Sequence, residues 1–259
     1  MKKAIFYFSG VGNSKAVAKE IASQLSFDLC KSIRDAASED FEDLTTLGLV
    51  FPVYYFAPPT AIMQFIETFL KPAQIELTYL FTILTNGGMS SFAPSITEML
   101  LQQAGYLSSY CETVKMVDTY TPLSKVPEKD KRKRIEQDAY ESVKTIIKEV
   151  GEESIKVRTR WPLSNTALYV YRSIAHWRYT YDRKFIVDDT CTECGICVRS
   201  CPVNNIELHE GKIRYLHHCE QCFACYHKCP VHAIRLKRKP LQGYTYYQGP
   251  DFTARNETI

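Results

Sequence analysis

Cysteine spacing gives the first chemical signal in the sequence. Eight of the ten cysteines lie within 39 residues, in two copies of the pattern C-x2-C-x2-C-x3-C-P that begin at Cys191 and Cys219. A [4Fe–4S] cluster is held by four thiolates, and this spacing is typical of chains that carry two such clusters. Pro202 and Pro230 turn the chain after the fourth cysteine of each run, since proline cannot continue a helix. The sequence therefore predicts two [4Fe–4S] clusters.

The ligand sets follow from the order of the cysteines in such runs. Three cysteines of one run bind one cluster, and the fourth crosses to the other. The predicted ligands of cluster one are Cys191, Cys194, Cys197 and Cys229. The predicted ligands of cluster two are Cys201, Cys219, Cys222 and Cys225. Zinc favours paired C-x2-C arms, and a disulfide knot requires an oxidising compartment, so both are weaker interpretations. Residues 185–236 closely resemble the two-cluster bacterial ferredoxins, which implies transfer of single electrons at low potential.

A glycine-rich turn near the N-terminus forms a second candidate site. Residues 3–8 are a short apolar run that predicts a buried strand, and the apolar periodicity after residue 15 predicts a helix. Backbone N–H groups and the helix dipole at such a strand–turn–helix junction favour a phosphate. A tight turn with a serine cap remains the alternative. The predicted phosphate-binding residues are Ser9, Gly10, Val11, Gly12, Asn13 and Ser14.

Residues 1–150 resemble the flavodoxins. The segment from Tyr7 to Ser14 is similar to the loop that holds the FMN phosphate in that family, and strands alternate with helices along this half. The predicted helices lie at about 60–70, 91–105 and 128–150. The resemblance implies a doubly wound α/β fold with a five-stranded parallel sheet in the order 2-1-3-4-5. It also implies non-covalent FMN at the carboxyl ends of the strands.

Two further loops follow predicted strands and are expected at the same edge of the sheet. The first supplies a candidate flavin wall, because flat aromatic side chains bury well against a ring; the other interpretation is that these aromatics only finish the sheet edge. The second supplies glycines that let the backbone approach the ring. The predicted residues are Pro52, Val53, Tyr54, Tyr55, Phe56 and Ala57 in the first loop, and Thr85, Asn86, Gly87 and Gly88 in the second.

Composition limits the remaining possibilities. Residues 1–150 hold 16 basic and 18 acidic side chains, and residues 151–259 hold 16 and 11. Because each cluster with its thiolates carries about −2, the basic excess of the second half is weak evidence for nucleic acid, and no nucleic-acid partner is predicted. No stretch approaches the length of a membrane span, and the N-terminal apolar run is too short for a signal peptide. We therefore expect a cytoplasmic protein without a membrane partner.

Four segments are predicted. A flavodoxin-like FMN domain covers 1–150, an ordered connector rich in aromatic residues and arginine covers 151–184, a ferredoxin domain covers 185–236, and a polar tail covers 237–259. The connector is expected to be helical over 165–181 and to pack against both domains. Six basic residues between Lys125 and Arg134 are interpreted first as a solvated helix start, and second as a docking site.

The whole chain resembles the fused flavodoxin–ferredoxin proteins of anaerobes. That resemblance implies electron transfer between the clusters and FMN, with ferredoxin-like donors or acceptor oxidoreductases as partners. The alternative is a reductase whose flavin acts on a quinone, metal ion, nitro compound or free flavin. No catalytic residue is assigned, since no acid–base pair or nucleophile triad is evident in the sequence.

Overall fold

The computed structural model describes residues 2–158, 161–237 and 246–252, and the side chains of residues 175 and 176 are not described. Five parallel strands form one sheet in the order β2-β1-β3-β4-β5. This order confirms the predicted doubly wound sheet. The strands are β1 (Lys2–Tyr7), β2 (Leu29–Ser32), β3 (Leu44–Pro52), β4 (Tyr79–Asn86) and β5 (Tyr110–Lys115).

Helices cover both faces of this sheet. On one face, a core that includes Phe6, Leu49 and Leu84 lies under α2 and α4. On the other, Ile5, Val50 and other apolar side chains pack under α1 and α5. The apolar strands are thus buried on both sides, as a parallel sheet requires. The helices are α1 (Asn13–Gln24), α2 (Thr60–Phe65), α3 (Lys71–Ala73), α4 (Ala93–Gln103) and α5 (Lys129–Gly151); a π turn (Ile66–Leu70) joins α2 to α3.

The connector contains two short helices, α6 (Ser164–Ser173) and α7 (Ala175–Tyr179), rather than the single predicted helix. The break falls at Ile174, the residue that ends α6. Tyr171 of α6 lies in the core on the α2 face of the sheet. Tyr181, just after α7, lies in the core of the cysteine-rich half. Residues 159 and 160 of the predicted connector lie outside the described residues.

A buried arginine ties the connector to its neighbours. Arg178 is 2% exposed, and its guanidinium carbon lies 3.8 Å from the centre of the Tyr171 ring. Its Nη2 donates to Thr60 Oγ1 over 2.6 Å, and its backbone carbonyl accepts a hydrogen bond from Gln221 Nε2. The connector, the sheet half and the second cysteine run therefore share one hydrogen-bonded junction.

The cysteine-rich half is built from two small antiparallel pairs and two one-turn helices. Strand β6 pairs with β9, and β7 pairs with β8. The elements are β6 (Phe185–Val187), α8 (Ile196–Ser200), β7 (Ile206–His209), β8 (Lys212–Tyr215), α9 (Ala224–Lys228) and β9 (Ile234–Leu236). Each helix begins inside one of the cysteine runs, so the two runs have the same local fold.

Residues 246–252 of the predicted tail return to the sheet half; apart from Lys237, the rest of the tail, residues 238–245 and 253–259, lies outside the described residues. Tyr247 is buried with Val11 and Val117 beside the first loop of the sheet. Phe252 packs into the core under α1 and α5. None of the helices in the described ranges is long and apolar enough to cross a membrane.

Candidate cofactor sites

A cavity of about 320 Å³ opens at the carboxyl ends of the parallel strands. It lies at the crevice where open α/β sheets bind their ligands. Three of the predicted residues, Gly12, Ala57 and Gly88, do not line it. The remaining predicted residues all line the cavity: Ser9, Gly10, Val11, Asn13, Ser14, Pro52, Val53, Tyr54, Tyr55, Phe56, Thr85, Asn86 and Gly87. The cavity thus brings together parts of all three predicted loops.

The loop Ser9–Ser14 presents unpaired backbone donors. Within the described parts of the chain, none of its N–H groups donates a hydrogen bond, and α1 has no side-chain cap. The side chains brace the loop instead: Ser14 Oγ lies 2.8 Å from Thr85 Oγ1, and Asn13 Nδ2 donates to the Val117 carbonyl. Free N–H groups at the start of a 12-residue helix are suited to a phosphate, so this loop fits the phosphate end of FMN.

The aromatic loop is a tight hairpin turn with an unfavourable backbone. Tyr54 and Ala57 exchange two backbone hydrogen bonds, and the two residues between them, Tyr55 and Phe56, have φ values of 51° and 65°. This left-handed region normally favours glycine or asparagine. The turn holds Tyr55 in a partly buried hydrogen-bond network and leaves Phe56 51% exposed at the mouth of the cavity.

Seven lining residues were not predicted from the sequence, and most come from the loop after β5. That loop has no glycine-rich motif, although its position after a parallel strand could have indicated it. Gln221 and Cys222 come instead from the second cysteine run, and only the packing of the two halves brings them to the cavity. The unpredicted residues are Val117, Asp118, Thr119, Tyr120, Leu123, Gln221 and Cys222; Met89, which continues the second predicted loop, also lines the cavity.

Two smaller cavities in the cysteine-rich half each have four cysteines in their walls. One is lined by Cys191, Cys194, Cys197 and Cys229, and the other by Cys201, Cys219, Cys222 and Cys225. These are the two predicted ligand sets. All ten cysteines are free thiols. Among the described residues, no three His, Cys, Asp or Glu side chains lie close enough together to hold a single metal ion; a four-iron cluster requires its four thiolates to be spaced more widely.

The backbone of the two runs repeats with an offset of 28 positions. Residues Glu193 and Gly195 of the first run have positive φ, and so do Gln221 and Phe223 of the second. Phe223 therefore adopts a conformation that glycine occupies in the first run. It is buried and packs edge-on against Tyr120, 5.4 Å between ring centres. This aromatic contact turns the second run toward the sheet half.

The surroundings of the thiols suit deprotonated, metal-bound sulfur. Backbone N–H groups donate to the Sγ atoms of Cys201, Cys219 and Cys229 over 3.2–3.3 Å, and such bonds tune cluster potentials. Without metal, burial raises the pKa of Cys222 to about 12, with the charge of Cys201 adding to it. Binding of iron must therefore displace thiol protons.

Cys222 belongs to two sites at once. It lines the cysteine cavity of the second set and also the large cavity at the sheet edge. Gly10 lies against it: a Cβ atom at Gly10 would be 2.6 Å from the Cys222 Cβ and 2.9 Å from its carbonyl oxygen. By contrast, Cys194 of the first set is exposed. The second set is thus next to the large cavity, and the first set reaches the surface.

A hydrogen-bonded network of aromatic side chains lies at the boundary between the large cavity and the second cysteine run. Tyr55 Oη donates to Gln221 Oε1 over 2.5 Å, and the same Tyr55 Oη lies 2.7 Å from Tyr120 Oη. Burial raises the pKa of both hydroxyl groups, so they stay protonated donors. The Tyr55 ring also packs edge-on against Trp177 of the connector. The network fixes the cavity wall and the second cysteine run relative to each other.

Strand order and cysteine sites together define a flavodoxin-like sheet joined to a ferredoxin-like domain for two clusters. Residues 183–230 match the family model of the 4Fe-4S dicluster domain. This match confirms the predicted pair of [4Fe–4S] clusters, and with it an iron–sulfur electron-transfer segment. A comparison with curated proteins gave no match.

Solved structures similar to part of the chain include the following three. A flavodoxin from the domain Archaea has 19% identity and a TM-score of 0.40, covering 56% of this chain and 99% of that one. The flavodoxin of Megasphaera elsdenii has 17% identity and a TM-score of 0.37, covering 43% and 84%. The Trp repressor binding protein of Bacillus subtilis has 11% identity and a TM-score of 0.41, covering 61% and 100%.

Proposed function

We propose that this protein is an electron relay that passes electrons between two [4Fe–4S] clusters and FMN. Bound clusters supply single electrons, and a bound flavin accepts one or two. Cys191, Cys194, Cys197 and Cys229 would hold the first cluster, and Cys201, Cys219, Cys222 and Cys225 the second. The loops at 9–14, 52–57 and 85–88 would hold FMN. The position of Cys222 in the walls of two cavities is the observation that carries this proposal.

The order of the relay follows from burial. The exposed Cys194 gives the first set contact with the surface, whereas Cys222 gives the second set contact with the flavin cavity. Electrons would therefore enter or leave at the surface side of the first set and cross the boundary between Cys222 and Gly10. Because both halves lie in one chain, this exchange needs no collision between molecules.

A single-turnover experiment tests the relay. The protein is loaded with iron, sulfide and FMN without oxygen and mixed rapidly with dithionite, and the cluster and flavin absorbances are followed separately. We expect flavin reduction to follow cluster reduction at a rate independent of protein concentration. A flavin rate that rises in proportion to protein concentration contradicts transfer within the chain.

The phosphate-binding role of the first loop gives a further prediction. Replacing Asn13 and Ser14 with alanine should weaken FMN binding by roughly 10- to 100-fold, because the bracing bonds to Val117 and Thr85 are lost and charge-assisted hydrogen bonds are weakened. Affinity for riboflavin, which lacks the phosphate, should change much less. Fluorescence titration measures both, and Ser142→Ala, an exposed hydroxyl on α5, is the control. Equal losses for FMN and riboflavin would contradict a phosphate site.

A substitution in the strained turn is expected to raise the stability of the protein and to lower its affinity for FMN. Phe56→Asn places a residue that tolerates left-handed backbone where φ is 65°, so the free energy of unfolding should rise by up to about 1 kcal/mol. FMN affinity should fall, because the exposed aromatic wall is removed. Urea unfolding of the apoprotein and FMN titration give the two values. A parallel fall in stability and affinity would show that Phe56 serves the fold instead.

A further inference from the structure

The start of α5 carries exposed positive charge. Between Lys125 and Arg134 there are six basic and two acidic residues. Lys129, Lys131, Lys133 and Arg134 are all exposed, and in the described parts of the chain none of these four forms an ion pair. Positive charge at a helix N-terminus opposes the helix dipole. The stability of α5 therefore does not explain why these cations are present at its start.

This basic helix start lies beside the flavin cavity. Leu123, six positions before α5, lines the cavity. Val126 packs with Val11, Val117 and Tyr247 in a small buried cluster, and two members of that cluster, Val11 and Val117, also line the cavity. The first turns of α5 are thus fixed to the wall of the cavity through this cluster.

The cations lie outside the cavity, and an apolar rim lies between. The described residues that line the cavity include no lysine or arginine, so the cations do not serve a small ligand inside it. Three apolar side chains at its mouth face solvent: Phe56 is 51% exposed, Met89 69% and Leu123 86%. An apolar centre with a charged margin is typical of a surface that docks another protein.

We propose that the first turns of α5 and the rim of Phe56, Met89 and Leu123 form a docking surface for an acidic electron-carrier protein. Negative charge on the carrier would meet Lys129, Lys131, Lys133 and Arg134, and its apolar contact would cover the rim. Each productive encounter moves one electron: the reduced iron–sulfur carrier is oxidised by one electron, and a centre of this protein is reduced by one. This inference rests on the proposed relay, because the surface adjoins the flavin cavity.

Charge complementarity acts mainly on the rate of encounter, so that rate is the measurement. The test variant is Lys129→Glu, Lys131→Glu and Lys133→Glu together. Glutamate in the first turns suits the helix dipole, so α5 should remain folded. The control variant, Lys19→Glu, Lys71→Glu and Lys148→Glu, makes the same change in net charge at exposed positions elsewhere.

The probe is a reduced, strongly acidic two-cluster ferredoxin, mixed with the loaded protein in a stopped-flow instrument at several salt concentrations. We expect the test variant to lower the second-order rate constant at low salt by roughly 10- to 100-fold and to flatten its salt dependence. The control variant should change the rate much less. Calorimetry with the oxidised ferredoxin should show weaker binding for the test variant alone.

The outcomes separate this proposal from the relay itself. Equal effects of the two variants on rate and binding would overturn the docking surface. The docking surface would also be overturned if NADPH reduced the unaltered protein but not the test variant while the ferredoxin rate was unchanged. The cations would then serve a nucleotide. Failure of dithionite to reduce flavin through the clusters in the unaltered protein would contradict the relay, while calorimetry would still decide whether the surface binds the carrier.

Discussion

Replacing Cys201 with alanine should lower the iron content from about eight to about four atoms per chain, because its thiol is assigned to the second cluster although it ends the first run. Cys201 is 6% exposed and lines the same cavity as Cys219, Cys222 and Cys225. The first cluster should persist, whereas dithionite should no longer reduce the flavin through the second. Iron analysis and electron paramagnetic resonance of the reduced protein measure the loss.

Two variants control for this result. Cys30→Ala removes a half-buried thiol of β2 and should leave all the iron in place. Cys229→Ala should show the mirror image, with the first cluster lost and the second retained. If the Cys201 and Cys229 variants lose the same cluster, the crossed assignment of ligands is wrong.

Substituting Gly10 with alanine should push the first loop of the sheet half away from Cys222. The added Cβ would lie 2.6 Å from the Cys222 Cβ, a distance that carbon atoms do not tolerate. The loop and Cys222 must shift to relieve this overlap. This shift should lower the free energy of unfolding by about 1–3 kcal/mol and slow flavin reduction by the clusters several-fold. Urea unfolding and the single-turnover experiment give the two values.

Gly88 offers a matched control on the same edge of the sheet. A Cβ atom there meets no atom within 4 Å, so Gly88→Ala should leave both quantities unchanged. Iron content and FMN affinity of the Gly10 variant must also be measured, since the loop contributes to FMN binding. If electron transfer in that variant keeps its rate although unfolding becomes easier, the Cys222–Gly10 boundary is not the route.

The local patterns in the sequence predicted what depends on spacing. The cysteine spacing predicts the ligand sets, since the number of residues between thiols fixes which ones can surround one [4Fe–4S] cluster. The loops at 9–14, 52–57 and 85–88 were placed correctly at one edge because parallel strands end together. Strand β2 was not predicted, because its four residues hold too few apolar positions to show a period.

Contacts between distant segments were not readable from such patterns. Nothing in the run around Cys222 indicates that it lies against Gly10, more than 200 positions earlier. The break in the connector at Ile174 also depends on packing, because Tyr171 enters one core and Tyr181 another. A periodic apolar pattern continues through such a break and therefore predicts a single helix.

The path of the last described segment has a consequence for how the protein is made. The Gln248 carbonyl oxygen lies 2.6 Å from where a Cβ of Gly12 would be, and the backbone of Gly249 lies against Gly12. Ribosomes add about 5–20 residues per second, so the last strand of the sheet, which ends at Lys115, is synthesised roughly 7–26 s before Tyr246 is added. During that interval the Ser9–Ser14 loop has no cover from this segment. The sheet half of the growing chain is therefore finished only after both cysteine runs have been translated.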